Sequence, residues 1–343
     1  MVHLRIVAPS HQAEKALELL RRTHSVINLV HLTGAAVRPE GDVILCDVAR
    51  EEASVVVGDL RELEIDVEGS IAMEDIDSQI SAAATEAEKA AAGMPSDAVV
   101  WEEVETRTSE NVELSASFLA FMTLAMLITA TGIYLDQTIL IIGGMVVGPE
   151  FGPLAGLCVA LVHLRRDLAK RSLLALAVGF PAGITFTFLV TLALNGLGLL
   201  PESFTSGQDG QFTAFISSPD FFSFFVAYLA GVAGVLSLTA AKSGALIGVL
   251  ISVTTMPAAA NIGIAAAMGD FDEWVGSVAQ LSLNLTALVL AGIATLFIQR
   301  RLYVRRRRKH LQEHSEAREA AGLPQGRSRR DKAGRAGERS AQS

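Results

Sequence analysis

The chain has 343 residues, of which 50% are hydrophobic and only 19% are charged, and its mean hydropathy is +0.40. Residues 1–113 contain nine Lys and Arg and 23 Asp and Glu. Residues 114–299 contain five basic and nine acidic residues, and residues 300–343 contain 14 basic and five acidic residues. This distribution excludes a secreted disulfide scaffold and argues against a plain soluble enzyme, and it predicts a membrane domain in the middle of the chain.

The acidic part predicts a small α+β domain over residues 1–76. Alternating and β-branched runs predict strands at 2–8, 26–37, 43–48 and 65–73. Apolar residues at helical spacing predict one helix that Ser10 caps and a second over 51–63. This order is the ferredoxin-like plan, which regulatory domains of the ACT type share. Both a ligand-sensing domain and an oligomerisation or scaffold domain fit this plan.

Targeting and redox signals are sparse. Residues 1–30 lack the apolar stretch of a signal peptide, so the acidic domain is expected in the cytoplasm. Cys46 and Cys158 lie in unlike environments and form no metal-binding pattern. We therefore expect no disulfide, no metal and no cofactor.

A helical linker is predicted over 77–113. Its first helix covers 78–92 and is ended by residues 93–96, and a shorter helix covers 101–107. Trp101 is either an anchor at the membrane surface or a buried packing residue.

Six apolar runs in the middle are long enough to cross a hydrocarbon core, which needs about 20 residues. They cover 114–134, 138–164, 172–200, 221–241, 244–268 and 275–299. Loops that contain Lys or Arg alternate with loops that contain none, and the positive-inside rule places the basic loops and both termini in the cytoplasm. The chain is thus expected to be a multi-pass plasma-membrane protein.

The tail, residues 300–343, is predicted to be a basic, disordered cytoplasmic segment that meets anionic lipid headgroups. It has no interleaved aromatic residues and no folded basic domain, so no nucleic-acid partner is expected. The expected partners are the lipid bilayer, a small solute or ion, and further copies of the chain in a homo-oligomer.

Two of the six spans contain helix-breaking residues at corresponding places. The second is interrupted by residues 148–153 and the fifth by residues 254–261. A shift of 104 residues superposes Pro153 on Pro257, so the halves 114–200 and 221–299 are predicted to form a 3+3 inverted repeat. Both prolines are expected in the first turn of a second half-helix. In transporters with this plan the binding site lies where the broken helices meet, but two kinked helices without a site are the alternative.

Glu150 is the ionisable residue placed in the middle of a span. Intramembrane carboxylates usually mark an ion or proton path. The alternative is a purely structural Glu that binds the amide groups freed at the start of the second half-helix. The full candidate site combines both breaks with polar residues of the last two spans: Gly148, Pro149, Glu150, Gly152, Pro153, Ser252, Thr254, Thr255, Pro257, Asn261 and Asn284.

Three runs give the chain a family resemblance: residues 114–119, the GGMVVGPEFGPL run at 143–154, and the GVLISVTTMPAAANIG run at 248–263. They resemble the bacterial membrane family called domain of unknown function 389, over roughly residues 1–300. The resemblance implies a bacterial integral membrane protein with a hydrophobic six-span domain, and it brings no substrate.

The broken spans and the central carboxylate predict a transporter or channel for a small solute or ion, with a cytoplasmic regulatory or oligomerisation domain. A membrane-anchored sensor or scaffold is the alternative, although a simple anchor needs neither feature. An enzyme is not expected, because the only His near the spans is His163 and no nucleophile–base pair is visible.

Overall fold

The structure is a computed structural model that describes residues 1–76, 78–91, 99–110, 112–201, 204, 216–239 and 247–313, with the side chains of 105, 107, 110, 247–254 and 306–313 left out. The chain divides into two compact units. Unit one contains residues 1–102 together with 300–343, and unit two contains residues 103–299.

Unit one is built on a four-stranded antiparallel sheet with the strand order β2-β3-β1-β4. Its elements follow one another as β1 Val2–Ala8, α1 Ser10–Arg22, β2 Val26–Val37, β3 Glu40–Val48, α2 Arg50–Glu62, α3 Ile65–Glu68 and β4 Ser70–Asp75. The antiparallel sheet and the order of the main strands and helices are as predicted.

Alternation along the central strands creates the core of unit one. Leu4 and Ile6 of β1 are fully buried, and so are Ile44 and Cys46 of β3, because every second side chain points to the same face of a sheet. They belong to one cluster with apolar residues of both long helices, among them Leu20 and Leu60. Burial of each such side chain stabilises the folded state by about 1.5–3 kcal/mol.

Two local predictions in unit one are wrong. The strand predicted at 65–73 begins only at Ser70, because β1 pairs with residues 70–75 and the preceding residues form the helical turn α3. Gly69 lies so close to the Val7 carbonyl group that a side chain would overlap it, which fixes where the strand starts. Ser10 is not the cap of α1: Pro9 occupies that position, and the Ser10 hydroxyl donates instead to Asp42 Oδ1 at 3.3 Å.

The predicted linker contains two described helices, α4 Ala82–Ala90 and α5 Trp101–Glu110. α4 begins later than predicted because the Ser81 hydroxyl accepts the amide of Ala84 as an N-cap. Trp101 is buried and packs edge-on against Tyr303, with ring centroids 6.1 Å apart, which supports its packing role. Residues 93–96, predicted to end the first linker helix, lie outside the described residues.

Unit two is helical. Its helices are α6 Ala116–Tyr134, α7 Thr138–Val147, α8 Phe151–His163, α9 Arg166–Gly196, α10 Phe221–Thr239, α11 Ile247–Met268 and α12 Phe271–Glu313, the last extending beyond the unit. Among the described residues, four helices are long and apolar enough to cross a membrane, and α7 with α8 makes a fifth if this pair, bent by 51°, is one span. Large apolar side chains such as Phe121 and Leu189 are exposed on these helices, which indicates a membrane protein.

Small residues allow the helices of unit two to pack closely. At Gly144 of α7 an added Cβ would overlap the Thr129 hydroxyl of α6, and at Gly263 of α11 it would lie 2.8 Å from the Ile184 carbonyl oxygen of α9. Between the helices lie fully buried side chains, including Met122, Met126 and Met256. Close contact through Gly is typical of helix packing in membranes.

The fifth predicted span is not broken, which corrects the prediction of two broken helices. α11 is one continuous helix with Pro257 inside it, so Pro257 is not in the first turn of a half-helix. A single proline can be accommodated when neighbouring helices satisfy the freed backbone groups. Residues 148–153, which include the first turn of α8, instead contain two prolines and two glycines, a much higher density of helix breakers.

Candidate functional site

The helix break in unit two is set by Pro149. Gly148 ends α7 in an extended conformation (φ −61°, ψ 125°), as expected for a residue that precedes proline. Glu150 returns to the helical region and is the N-cap residue of α8. Pro153 lies in the first turn of α8, where its missing amide donor costs little, as predicted.

Glu150 is completely buried, and its carboxylate reaches another helix. Oε1 accepts a hydrogen bond of 3.0 Å from the hydroxyl of Thr255 on α11, which is also completely buried. The bond joins residues 105 positions apart in the chain. Because a buried carboxylate is costly unless it is paired or hydrogen-bonded, a donor at this place is a physical requirement.

The structural alternative for Glu150 loses support. Its side chain makes no capping hydrogen bond to the first turn of α8. One of the two amides that such a cap would use belongs to the third helical position, and that position is Pro153, which has no N–H. The carboxylate is therefore directed toward α11 rather than held at the start of its own helix.

A second polar cluster joins α11 to α12. The Asn261 side-chain amide donates to the Ser277 hydroxyl oxygen at 2.9 Å and to Glu273 Oε1 at 3.3 Å. Asn261 is 1% exposed and Ser277 is completely buried, whereas Glu273 is half-buried near the start of α12. Polar bonds of this kind hold helices together in an apolar environment.

The other predicted site residues are spread along the same helices. Gly152 lies in the first turn of α8, and Asn284 is completely buried on α12. Ser252 and Thr254 lie in α11, but their side chains are outside the described residues. Of the polar candidates, the structure brings Glu150 and Thr255 into direct contact, while Asn261 bonds to residues of α12.

Two buried polar residues of α12 were missed from the sequence. Ser277 and Gln280 share a helix face with Asn284, since spacings of three and seven residues return to the same side. This spacing was available as a signal in the sequence. Thr286, by contrast, is exposed and donates to the Ser282 carbonyl oxygen of its own helix, so it faces away from this stripe.

The walls near the break are apolar. A small crevice is lined by Phe151, Leu154, Ala155, Cys158, Gly231, Val235 and Leu288. Glu150 does not line this crevice. The complete burial of Glu150 and Thr255 keeps their hydrogen bond away from water, which strengthens it.

Two of the buried carboxylates of unit one, Asp42 and Asp47, lie on β3. The Gly34 amide, 2.9 Å from Asp42 Oδ1, and the imidazole of His31 lower the pKa of Asp42. Burial alone would raise the pKa of Asp47, but hydrogen bonds from His3, Asn28 and Gln79 outweigh it, so its pKa is lowered. Across the described residues, no group of three or more His, Cys, Asp and Glu side chains could hold a metal ion.

Comparison with known proteins finds a family match within this bundle. Residues 145–290 match the model of the family described as "Domain of unknown function (DUF389)". This segment begins just before the helix break and ends within α12, so it contains every candidate site residue, and the resemblance predicted from the sequence is confirmed.

A protein described only as uncharacterized, from Methanocaldococcus jannaschii, is 26% identical over 196 residues. The match covers 57% of this chain and 58% of that relative, so the chain spans less than two thirds of its length. Because this relative is archaeal, the similarity reaches beyond bacteria. No solved structure gives a significant match.

Proposed function

We propose that the chain is an integral membrane transporter or channel for a small solute or ion, and that its central site contains Glu150 and Thr255. The observation that carries the proposal is the completely buried Glu150 carboxylate, which lies at a helix break and is hydrogen-bonded to a different helix. Ionisable groups in such surroundings are expensive and typically line a path for ions or protons.

The proposal includes six spans in two inverted halves. α11 has 22 residues and a length of about 33 Å, enough for a hydrocarbon core of about 30 Å. It adds a sixth crossing to the four long helices and the bent pair. In this topology the chain spans a prokaryotic plasma membrane, and both of its termini lie in the cytoplasm.

Unit one has a regulatory or oligomerisation role in the proposal, and the assembly is a homo-oligomer. Its antiparallel sheet has the β2-β3-β1-β4 order that suits a ferredoxin-like domain. Val30 and Leu32 of the edge strand β2 are almost half exposed, at 44% and 46%. Exposed apolar residues on an edge strand favour association with another surface.

Glu150→Gln tests the proposal, since it keeps the size and hydrogen-bonding capacity of the side chain but removes its charge. The full-length chain is reconstituted into liposomes, and uptake of protons and of ²²Na⁺ is measured under a potassium–valinomycin potential at several pH values. The wild-type chain is expected to give flux above empty liposomes. The variant is expected to lose about tenfold or more of this flux, or its pH dependence.

Asp136→Asn is the matched control. Asp136 is an exposed carboxylate after α6 with positive φ (49°), a conformation that Asn also adopts easily. Its flux should equal that of the wild type. Unchanged, pH-dependent flux in Glu150→Gln would contradict a functional role of the carboxylate. Absence of any flux in the wild-type chain would favour the alternative, a membrane-anchored sensor or scaffold.

A further inference from the structure

The polar side chains of α12 form a continuous buried stripe. Glu273 is half-buried, Ser277 is completely buried, Gln280 is 4% exposed and Asn284 is completely buried. These positions return to one face of the helix every three or four residues, whereas Ser282 and Thr286, on the opposite face, are exposed. At 1.5 Å per residue the stripe is about 16 Å long, close to half of a hydrocarbon core of about 30 Å.

The stripe leads toward the Glu150–Thr255 pair. α11 and α12 are joined by two residues, and the hydrogen bond from Asn261 to Ser277 sets their relative level. In two antiparallel helices, moving a given number of residues toward the N-terminus of one helix reaches the same level as moving that number toward the C-terminus of the other. Thr255, six residues before Asn261, is thus level with residue 283, next to Asn284. By this count of residues, the inner end of the stripe falls near the level of the hydroxyl that bonds Glu150.

One oxygen in the stripe is buried without a hydrogen bond. Among the residues that the structure describes, the side-chain carbonyl oxygen of Gln280 has no partner. An unsatisfied buried acceptor costs about 1–3 kcal/mol. A leucine at this position would avoid that cost, whereas the Gln280 oxygen is an acceptor that a water molecule or a cation can use.

The charges along the stripe select for cations. Carboxylates stand at both ends, Glu273 at the outer and Glu150 at the inner, and hydroxyl and amide oxygens lie between them. Residues 216–239 and 247–299 contain no Lys, Arg or His. Rings and rows of acidic and neutral oxygen ligands favour cations over anions.

We propose that this stripe is a hydrophilic half-path that carries protons or alkali-metal cations between the α11–α12 turn and Glu150. The half-path consists of Glu273, Asn261, Ser277, Gln280 and Asn284. It rests on the proposed transport function and adds to it the class of the transported ion and the end from which the site is reached.

Gln280→Leu tests the half-path with two measurements on the full-length chain. Because the substitution removes an unsatisfied buried oxygen, the melting temperature in detergent should stay the same or rise. Proton and ²²Na⁺ uptake in liposomes should nevertheless fall about tenfold, since the path loses a polar step in an apolar environment. The proton dye and the isotope separately identify which cation passes. Ser282→Ala, on the exposed face of the same helix, is the control and should keep wild-type flux.

Accessibility gives a second measurement. In a Cys46→Ala/Cys158→Ala background that retains flux, the Gln280→Cys variant should react with the water-soluble cationic reagent MTSET, and its flux should stop. The Ala279→Cys variant is the control: Ala279 is exposed on the outer surface of α12, so its thiol should be shielded by lipid and flux should not change.

The outcomes separate the two proposals. If Glu150→Gln abolishes flux but Gln280→Leu does not, the half-path is wrong and the proposed function stands. The half-path is also overturned if the Gln280→Cys variant does not react with MTSET, or if chloride uptake equals cation uptake. If the wild-type chain moves neither protons nor Na⁺, both the half-path and the carboxylate site are overturned.

Discussion

Proline has different effects on helix continuity in two segments of the bundle. At 148–150 the helix stops and restarts with a bend of 51°, whereas α11 continues through Pro257. Gly148 precedes Pro149 in an extended conformation, but the residue before Pro257 is the fully buried Met256, which stays helical. Proline weakens a helix by a fixed local effect, and packing around it decides whether the helix breaks.

The difference has a chemical consequence. The break frees Glu150 from the α7 helix and lets its carboxylate approach α11, and the intact α11 holds Thr255 in place as a donor. One segment therefore supplies the charged group and the other supplies a rigid partner. Two broken helices would have left the donor on a second irregular segment.

The largest expected effect is on the bond that joins the two segments. Thr255→Val keeps the shape of the side chain but removes the donor to the Glu150 carboxylate. A lost hydrogen bond to a buried charged group costs about 1.5–3 kcal/mol, so the unfolding free energy of the purified chain should fall by that amount. Thr286→Val is the control, because that exposed hydroxyl bonds only its own helix and its loss should change stability by less than about 0.5 kcal/mol. An equal loss of unfolding free energy in the two variants would show that the Thr255–Glu150 hydrogen bond does not contribute to stability.

A somewhat smaller effect is expected at the approach to the break. Gly144→Ala would push a methyl group into the Thr129 hydroxyl and to 2.7 Å from the Ala125 carbonyl oxygen. Overpacking of this kind costs about 1–3 kcal/mol, which a thermal melt in detergent can measure. Its neighbour is a sharp control: at Gly143 the nearest atom lies 4.0 Å away, so Gly143→Ala should be neutral or stabilise by up to about 1 kcal/mol. If both variants melt alike, α7 does not pack on α6 as described.

The smallest effect on stability is expected at the prolines themselves. Pro257→Ala restores a helix amide but leaves a small cavity among the buried alanines 258–260, so stability should change by less than about 1 kcal/mol and flux should persist. Pro149→Ala should be similarly mild in a melt, yet it releases Gly148 from its extended conformation and allows α7 to continue. Flux should then fall, because Glu150 moves away from Thr255. Loss of flux in Pro257→Ala with retention in Pro149→Ala would reverse the roles of the two segments.

Much of the architecture could be predicted from local patterns. Short apolar and β-branched runs located β1, β2 and β3, helical spacing located α1 and α2, and long apolar runs located the helices of unit two, because these patterns are local properties of the sequence. The strand predicted at 65–73 failed at its first residues, since its start depends on the length of β1 and on the contact at Gly69. The buried polar face of α12 was readable from the spacing of Ser277, Gln280 and Asn284, but only Asn284 was singled out.

The sequence by itself determined the apolar bundle, the acidic α+β unit, the break at Pro149 and the candidacy of Glu150, because composition, periodicity and proline chemistry are local properties. Only the tertiary structure decided that α11 stays intact, that Glu150 bonds Thr255 rather than the start of α8, and that Asn261 bonds Ser277. These outcomes depend on which residues distant in the chain meet in the packed bundle, and a single sequence does not contain those distances.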